Sequence, residues 1–182
     1  MARMTRSAKL LNCMKGNKGI TLTELLIGVF FVIVILAGAF MLFNPLDLLK
    51  MANDNRRKED LAAIQNALEQ YHKDLGSYPP STPDYQIKTI DANDPVKEWG
   101  SSWGTYMSVI PQDPSSPKKT YIYMSGSAGQ TYYLYASLEK GDKDKKACNL
   151  GKPCSGLRSN SVNDTACGEV CNYGVSSSNV IP

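Results

Sequence analysis

Apolar residues first concentrate after Lys18-Gly19-Ile20-Thr21-Leu22-Thr23-Glu24, where nineteen uncharged residues follow, Leu25 to Phe43. A helix over 20–43, at about 1.5 Å per residue, is long enough to span a hydrocarbon core. Gly28 and Gly38 are tolerable within such a helix. Asn44-Pro45 then removes one backbone donor, which predicts a kink or local loosening at Pro45. The pattern resumes with Leu46, Leu48 and Leu49 and passes through a mixed-charge stretch, Lys50 to Asp60. Leu61, Ile64, Leu68, Tyr71 and Leu75 follow at spacings of three and four, one face of an amphipathic helix. Gly76 sits where a C-terminal cap belongs, and Tyr78-Pro79-Pro80 forbids continuation. Helical from Ile20 to Leu75, this segment would be a rod of roughly 80 Å. A head domain of about 100 residues cannot bury such a rod, so its first half belongs in lipid or a filament and its second half against the head.

Beyond Pro80 the period changes. Residues 81–103 are loop-rich, with Pro83, Pro95 and Gly100. Residues 119–124 and 131–138 are dense in Tyr and β-branched side chains, and the six residues between them include two glycines. That predicts an antiparallel hairpin. Tyr106 to Ile110 adds a helical turn or a strand edge. The helix stripe needs a partner surface, and this sheet is the candidate. From Lys140 onward the chain is rich in Gly, Ser, Asn and Lys and reads as a loop-rich tail that its cysteines or the sheet must hold. The fold class is therefore α+β: a long N-terminal helix, its second half packed on a small antiparallel sheet.

Charge sharpens the division. The formal net charge of +3 belongs to the first nineteen residues, which hold Arg3, Arg6, Lys9, Lys15 and Lys18 and no acid. The remainder carries 15 basic against 17 acidic residues, a net of −2. Nucleic-acid binding by a basic surface is thus without support. Basic residues ahead of an apolar run predict a cytoplasmic N-terminus and an exported C-terminus. Cys13 lies in the leader, leaving Cys148, Cys154, Cys167 and Cys171. An even number in an exported, loop-rich tail predicts two disulfides, with three pairings open. A four-thiolate zinc site is the competing reading, but the spacing lacks tight C-x-x-C pairs.

The residues Gly19-Ile20-Thr21-Leu22-Thr23-Glu24 resemble the processing signal of type IV prepilins and type II secretion pseudopilins, with Ile20 in place of the usual Phe. Arg57-Lys58-x-Asp60-Leu61-x-x-Ile64-Gln65-Asn66-Ala67-Leu68-x-x-Tyr71 is similar to a helix segment common in pseudopilins, and Gly76-x-Tyr78-Pro79 to their helix exit. The resemblance implies a pilin-like α/β roll divided as leader 1–19, transmembrane or filament-core helix 20–45, amphipathic helix 46–76 and exported head 77–182. It implies cleavage between Gly19 and Ile20 by a membrane prepilin peptidase and N-methylation of Ile20. Its implied partners are membrane lipid, an inner-membrane assembly platform, and other pilin or pseudopilin subunits in a homo- or hetero-polymer. The cysteine tail departs from the G-type pseudopilins, which carry a calcium loop there.

Glu24 is costly in lipid and calls for a partner. Ile20 lies four residues earlier, on the same face of a helix; the family implies that Glu24 pairs with the α-ammonium of a neighbouring subunit during assembly. Snorkelling at the membrane edge is the simpler alternative. For Pro45, the family implies local helix melting in the filament. An ordinary signal peptide ending at Ala37-Gly38-Ala39 competes with prepilin processing, but the apolar run continues to Phe43 and an acid is out of place inside such a core. Asp91, Asn93 and Asp94, and separately Asp142 and Asp144, offer oxygen ligands for Ca²⁺ without complete calcium-loop spacing. No other cofactor is expected. His72, the only histidine, reads as a solvated helix residue, and Trp99 and Trp103 as packing residues with sugar or partner binding as the alternative. No nucleophile motif, phosphate loop or metal-binding histidine pair appears, so the expectation is a structural subunit and not an enzyme. A pseudopilus subunit leads. A type IV pilus subunit for adhesion, motility or DNA uptake, and a monomeric anchored binding module, are the alternatives.

Overall fold

The structure, a computed structural model, describes residues 19–42, 44–90, 96–178 and 180–182. The chain divides into two compact units, residues 1–44 and 45–182. The first contains α1 (Leu22–Leu42). From Leu22 to Gly38 every residue of α1 is exposed, and Leu22–Phe40 is long and apolar enough to cross a membrane. A helix that is apolar and exposed all round among the described residues needs lipid or other helices as solvent.

The second unit begins with α2 (Pro45–Leu75). Pro45 is its first helical residue, where a missing N–H leaves no bond unmade. At the other end the Gly76 N–H bonds the His72 carbonyl at 2.7 Å with Gly76 at φ 75°, a left-handed cap that side chains disfavour. The stripe Leu61, Ile64, Leu68 and Tyr71 is buried as the spacing predicts, with Ala67 beside it. Leu75 departs from it: it is 43% exposed, because the helix ends there before the stripe returns to the sheet.

β1 (Ile87–Lys88) and β2 (Val96–Lys97) pair antiparallel as a two-residue ribbon. The expected hairpin is β3 (Ile122–Ser125) and β4 (Tyr132–Ala136), in register Ile122 to Tyr135. A third strand, β5 (Tyr173–Ser176), pairs on the far side of β4, Tyr133 opposite Ser176. The tail was expected to be loop, and here it supplies both a strand and a short helix, α3 (Ser155–Ser159). The Tyr106–Ile110 stretch forms a tight turn bridged from Trp103 to Met107.

The sheet is covered on both faces. Alternation along β4 sends Tyr132, Leu134 and Ala136 into the core shared with Leu61, Ile64 and Leu68 of α2. Tyr135 points the other way, into a second core with Ile122, Leu157, Cys167 and Cys171 from the tail. Strands enclosed on two sides explain why the hairpin is a near-continuous run of large residues and not an alternating one. Gly174 in β5 is part of this fit, since a Cβ there would meet the Tyr135 ring at 2.8 Å and Pro182 at 2.9 Å. Trp103 is buried against Tyr71, ring centres 5.7 Å apart, and Trp99 lies edge-on to Tyr121 at 5.8 Å, so both are packing residues. His72 differs from the expectation of full solvation: it is half-buried and stacks on Tyr78 at 4.4 Å.

Tyrosines suit this architecture because their hydroxyls reach acceptors at the core edge. The Tyr121 hydroxyl donates to Asp60 at 2.6 Å, and Tyr123 to the Pro79 carbonyl at 2.5 Å. Glu69 accepts from both Tyr78, at 2.9 Å, and Tyr132, at 3.0 Å.

The largest buried polar feature is Arg57, which has no exposed surface. Its Nε and one terminal nitrogen bind Asp113 at 2.9 and 3.1 Å, and the same nitrogen donates to Ser115 Oγ at 2.9 Å. The other terminal nitrogen donates to Asp54 at 2.8 Å and Glu139 at 3.3 Å. All five guanidinium donors are thereby placed. The carboxylates are satisfied in turn: Asp54 accepts the backbone N–H groups of Glu139 and Lys140, at 2.9 and 2.8 Å, and Asp113 that of Ser115, at 2.7 Å. Burial works against the Arg57 charge, but the bonds to Asp113, Asp54 and Glu139 outweigh it and raise its pKa.

Two predictions follow from these networks. Arg57→Met in the 45–182 unit should cost about 3–5 kcal/mol, since it strands two buried carboxylates; urea unfolding measures it, and a loss under about 1 kcal/mol would show that the cluster does not hold the unit together. Burial, then the hydrogen bond and charge of Glu69, push Tyr78 up from 10.0 to about 12. The folded value lies above the unfolded one, so this contribution is complete below pH 10 and is lost as pH rises through about 12. Glu69→Gln should lower the Tyr78 titration while burial keeps it above its ordinary value, read by phenolate absorbance; an unmoved titration would remove Glu69 from the account.

Candidate assembly site

The site expected from sequence lies at the start of α1. Gly19 and Ile20 are exposed and precede the helix, and a Cβ at Gly19 would meet nothing within 4 Å. Thr21 caps the helix: its Oγ1 accepts the Glu24 N–H at 3.2 Å, and its carbonyl accepts the Leu25 N–H at 3.1 Å. Thr21 and Glu24 thus stand at the cap and third positions of a Thr-x-x-Glu capping box, with the threonine half of that box made. Sequence reasoning passed over Thr21, although this local motif is enough to find it. An acid in the first turn also suits the positive end of the helix dipole.

Ile20 and Glu24 lie together along one groove of α1, continued by Leu25, Gly28, Val29 and Val32. Gly28 leaves a notch one turn beyond the carboxylate. The arrangement offers no nucleophile or general base pair. It presents an exposed Gly19–Ile20 peptide bond, an acidic first turn and an apolar surface with a shallow recess.

The tail carries the second set of expected residues. Cys148 bonds Cys154 with Cα atoms 4.9 Å apart, and Cys167 bonds Cys171 at 5.4 Å, so each cysteine pairs with its neighbour in sequence. The two loops are stitched together and to the sheet: the Cys154 N–H bonds the Cys171 carbonyl at 3.1 Å, and the Cys148 N–H the Asn172 carbonyl at 2.8 Å. The buried Asn172 amide bonds both the N–H and the carbonyl of Leu138, at 2.7 and 3.0 Å.

Of the calcium candidates, Asp91, Asn93 and Asp94 lie outside the described residues. Asp144 is engaged by the Lys58 ammonium and by the Lys146 N–H, and Lys143 stands beside it. Among the described residues no group of three or more His, Cys, Asp or Glu side chains is placed to hold a metal.

A long apolar helix, followed by a second helix on a small antiparallel sheet, is the pilin-like α+β fold. Residues 45–149 match the family described as type II secretion system (T2SS), protein G, over more than half of the chain, and the chain belongs to that family. The family is one of pseudopilins, structural subunits and not enzymes. The match opens where α2 opens and leaves residues 150–182, with α3 and β5, outside it. No curated protein and no solved structure matches the chain.

Replacing Cys148 and Cys154 together by serine, or Cys167 and Cys171, should destabilise the 45–182 unit by about 2 kcal/mol per bridge, the value loops this short imply. Thermal melting with and without reductant checks it. Reductant-insensitive melting would mean that the bridges add nothing.

Proposed function

We propose that this pseudopilin is processed after Gly19, N-methylated at Ile20, and assembled into a secretion pseudopilus through α1. The observation that carries the proposal is a helix exposed and apolar on every side, whose first turn holds one carboxylate beside the new terminus. Cleavage at Gly19 frees an α-amine four residues before Glu24. In lipid an unpaired carboxylate costs roughly 2.5 kcal/mol or more at the bilayer centre and less toward the interface. A neighbour's α-ammonium removes that cost and fixes the register between otherwise uniform apolar helices. The Gly28 notch lets a second helix approach closely at the same depth.

In this reading the leader faces the cytoplasm, a prepilin peptidase cuts there, and the platform in the inner membrane receives the mature subunit. The head lies on the exported side, which agrees with a tail closed by two disulfides. Pro45 gives a point where the helical path can loosen as the subunit leaves the membrane. The family match supports the pseudopilus over a type IV pilus fibre.

The intact mass of the mature chain should correspond to a start at methylated Ile20; a start at Phe40 would identify an ordinary signal peptide. Glu24→Ala should leave cleavage intact and reduce filament yield at least about tenfold, the equivalent of 1.4 kcal/mol per subunit addition. Normal filament yield from that variant would refute the charge-pair role.

A further inference from the structure

The geometry points to an anionic-lipid docking surface built from the first two turns of α2 and the lysine loop 140–146. It rests on the reading that α1 is embedded in a bilayer. Leu46, Leu48, Leu49 and Met51 are 54–66% exposed, and they occupy all sides of the helix before the buried stripe begins. A helix start that leaves four large apolar residues uncovered has no partner in its own head.

The lysine loop is fastened to those turns. Lys140 pairs with Asp47 at 2.6 Å, and Lys58 of α2 pairs with Asp144. These two contacts occupy one of the loop's two acids, Asp144, together with Asp47. Lys50, Lys143, Lys145 and Lys146 are exposed and have no ion pair among the described residues, against the single exposed Asp142. Residues 20–182 carry a net of −2, so this positive cluster runs against the charge of the whole exported part.

Exposed leucines on turns to which a lysine-rich loop is fastened are the composition of a segment that lies in a membrane interface, with apolar atoms among the acyl chains and cations at the phosphates. Sequence supplies the bilayer: only Phe43 and Asn44 stand between the last residue of α1 and the first of α2. The occupant is therefore the anionic phospholipid surface of the membrane that holds α1. Such docking would keep the head seated on the lipid until assembly lifts it away.

The test uses the full chain, one copy per nanodisc, in discs of phosphatidylcholine alone or mixed with phosphatidylglycerol. Brief acetylation of amines is read by mass spectrometry. Lys50, Lys143, Lys145 and Lys146 should react roughly threefold or more slowly in the anionic discs, with Lys73 and Lys88 unchanged, and the difference should collapse in about 0.5 M salt. The triple variant K143E/K145E/K146E should lose the protection at Lys50. Equal reactivity in both discs, or protection that follows protein density and not lipid charge, overturns the proposal, the latter in favour of a second copy as occupant. Failure to incorporate into phosphatidylcholine discs would instead refute the embedding of α1.

Discussion

A guanidinium with no access to water must have all its donors met, and Arg57 meets that demand with residues from three parts of the chain. Asp54 comes from the previous turn of α2, Asp113 and Ser115 from the loop before the hairpin, and Glu139 from the chain just after β4. The carboxylates answer by collecting backbone N–H groups from the same loops. Moving α2 by one turn along the sheet would break every bond that leaves the helix, to Asp113, Ser115 and Glu139, and would spare only the Arg57–Asp54 pair within it. The apolar stripe beside it would tolerate such a slip far better, because Leu61, Ile64 and Leu68 are similar in size and repeat with the helix. The polar cluster therefore fixes the position at which the hydrophobic surfaces meet.

That difference explains which parts were legible in the sequence. The stripe and the Gly76 cap announce themselves through local spacing, and the β3–β4 hairpin through its tyrosines. Arg57 was hidden among mixed charges: an acid three residues away is the ordinary arrangement of a solvated helix, and its deciding partners lie 56 and 82 residues later. β5 was hidden for another reason. Tyr-Gly-Val-Ser has little strand character of its own, and pairing with β4 imposes the conformation. At the candidate site the motif around Gly19 was readable, and so was the acid at Glu24. The cap made by Thr21 was equally readable, since the Thr-x-x-Glu spacing that marks it is local.

The two faces of the sheet also differ in where their covering residues fall relative to the family match. One face, toward α2, is built from residues within the matched stretch apart from Tyr173 and Val175 of β5. The other face is covered by Leu157, Val162, Cys167 and Cys171, all beyond it. The tail thus forms a second layer on the sheet, held where the sheet presents Ile122 and Tyr135 to it.

The bridges join cysteines only six and four positions apart. In a polypeptide that emerges in sequence order, each sulfur meets its mate within moments of emerging, before the more distant candidates are present. Short separation also gives the right encounter the highest effective concentration. The order of arrival thus favours the native connectivity, and the tail has little need of thiol exchange to reach it.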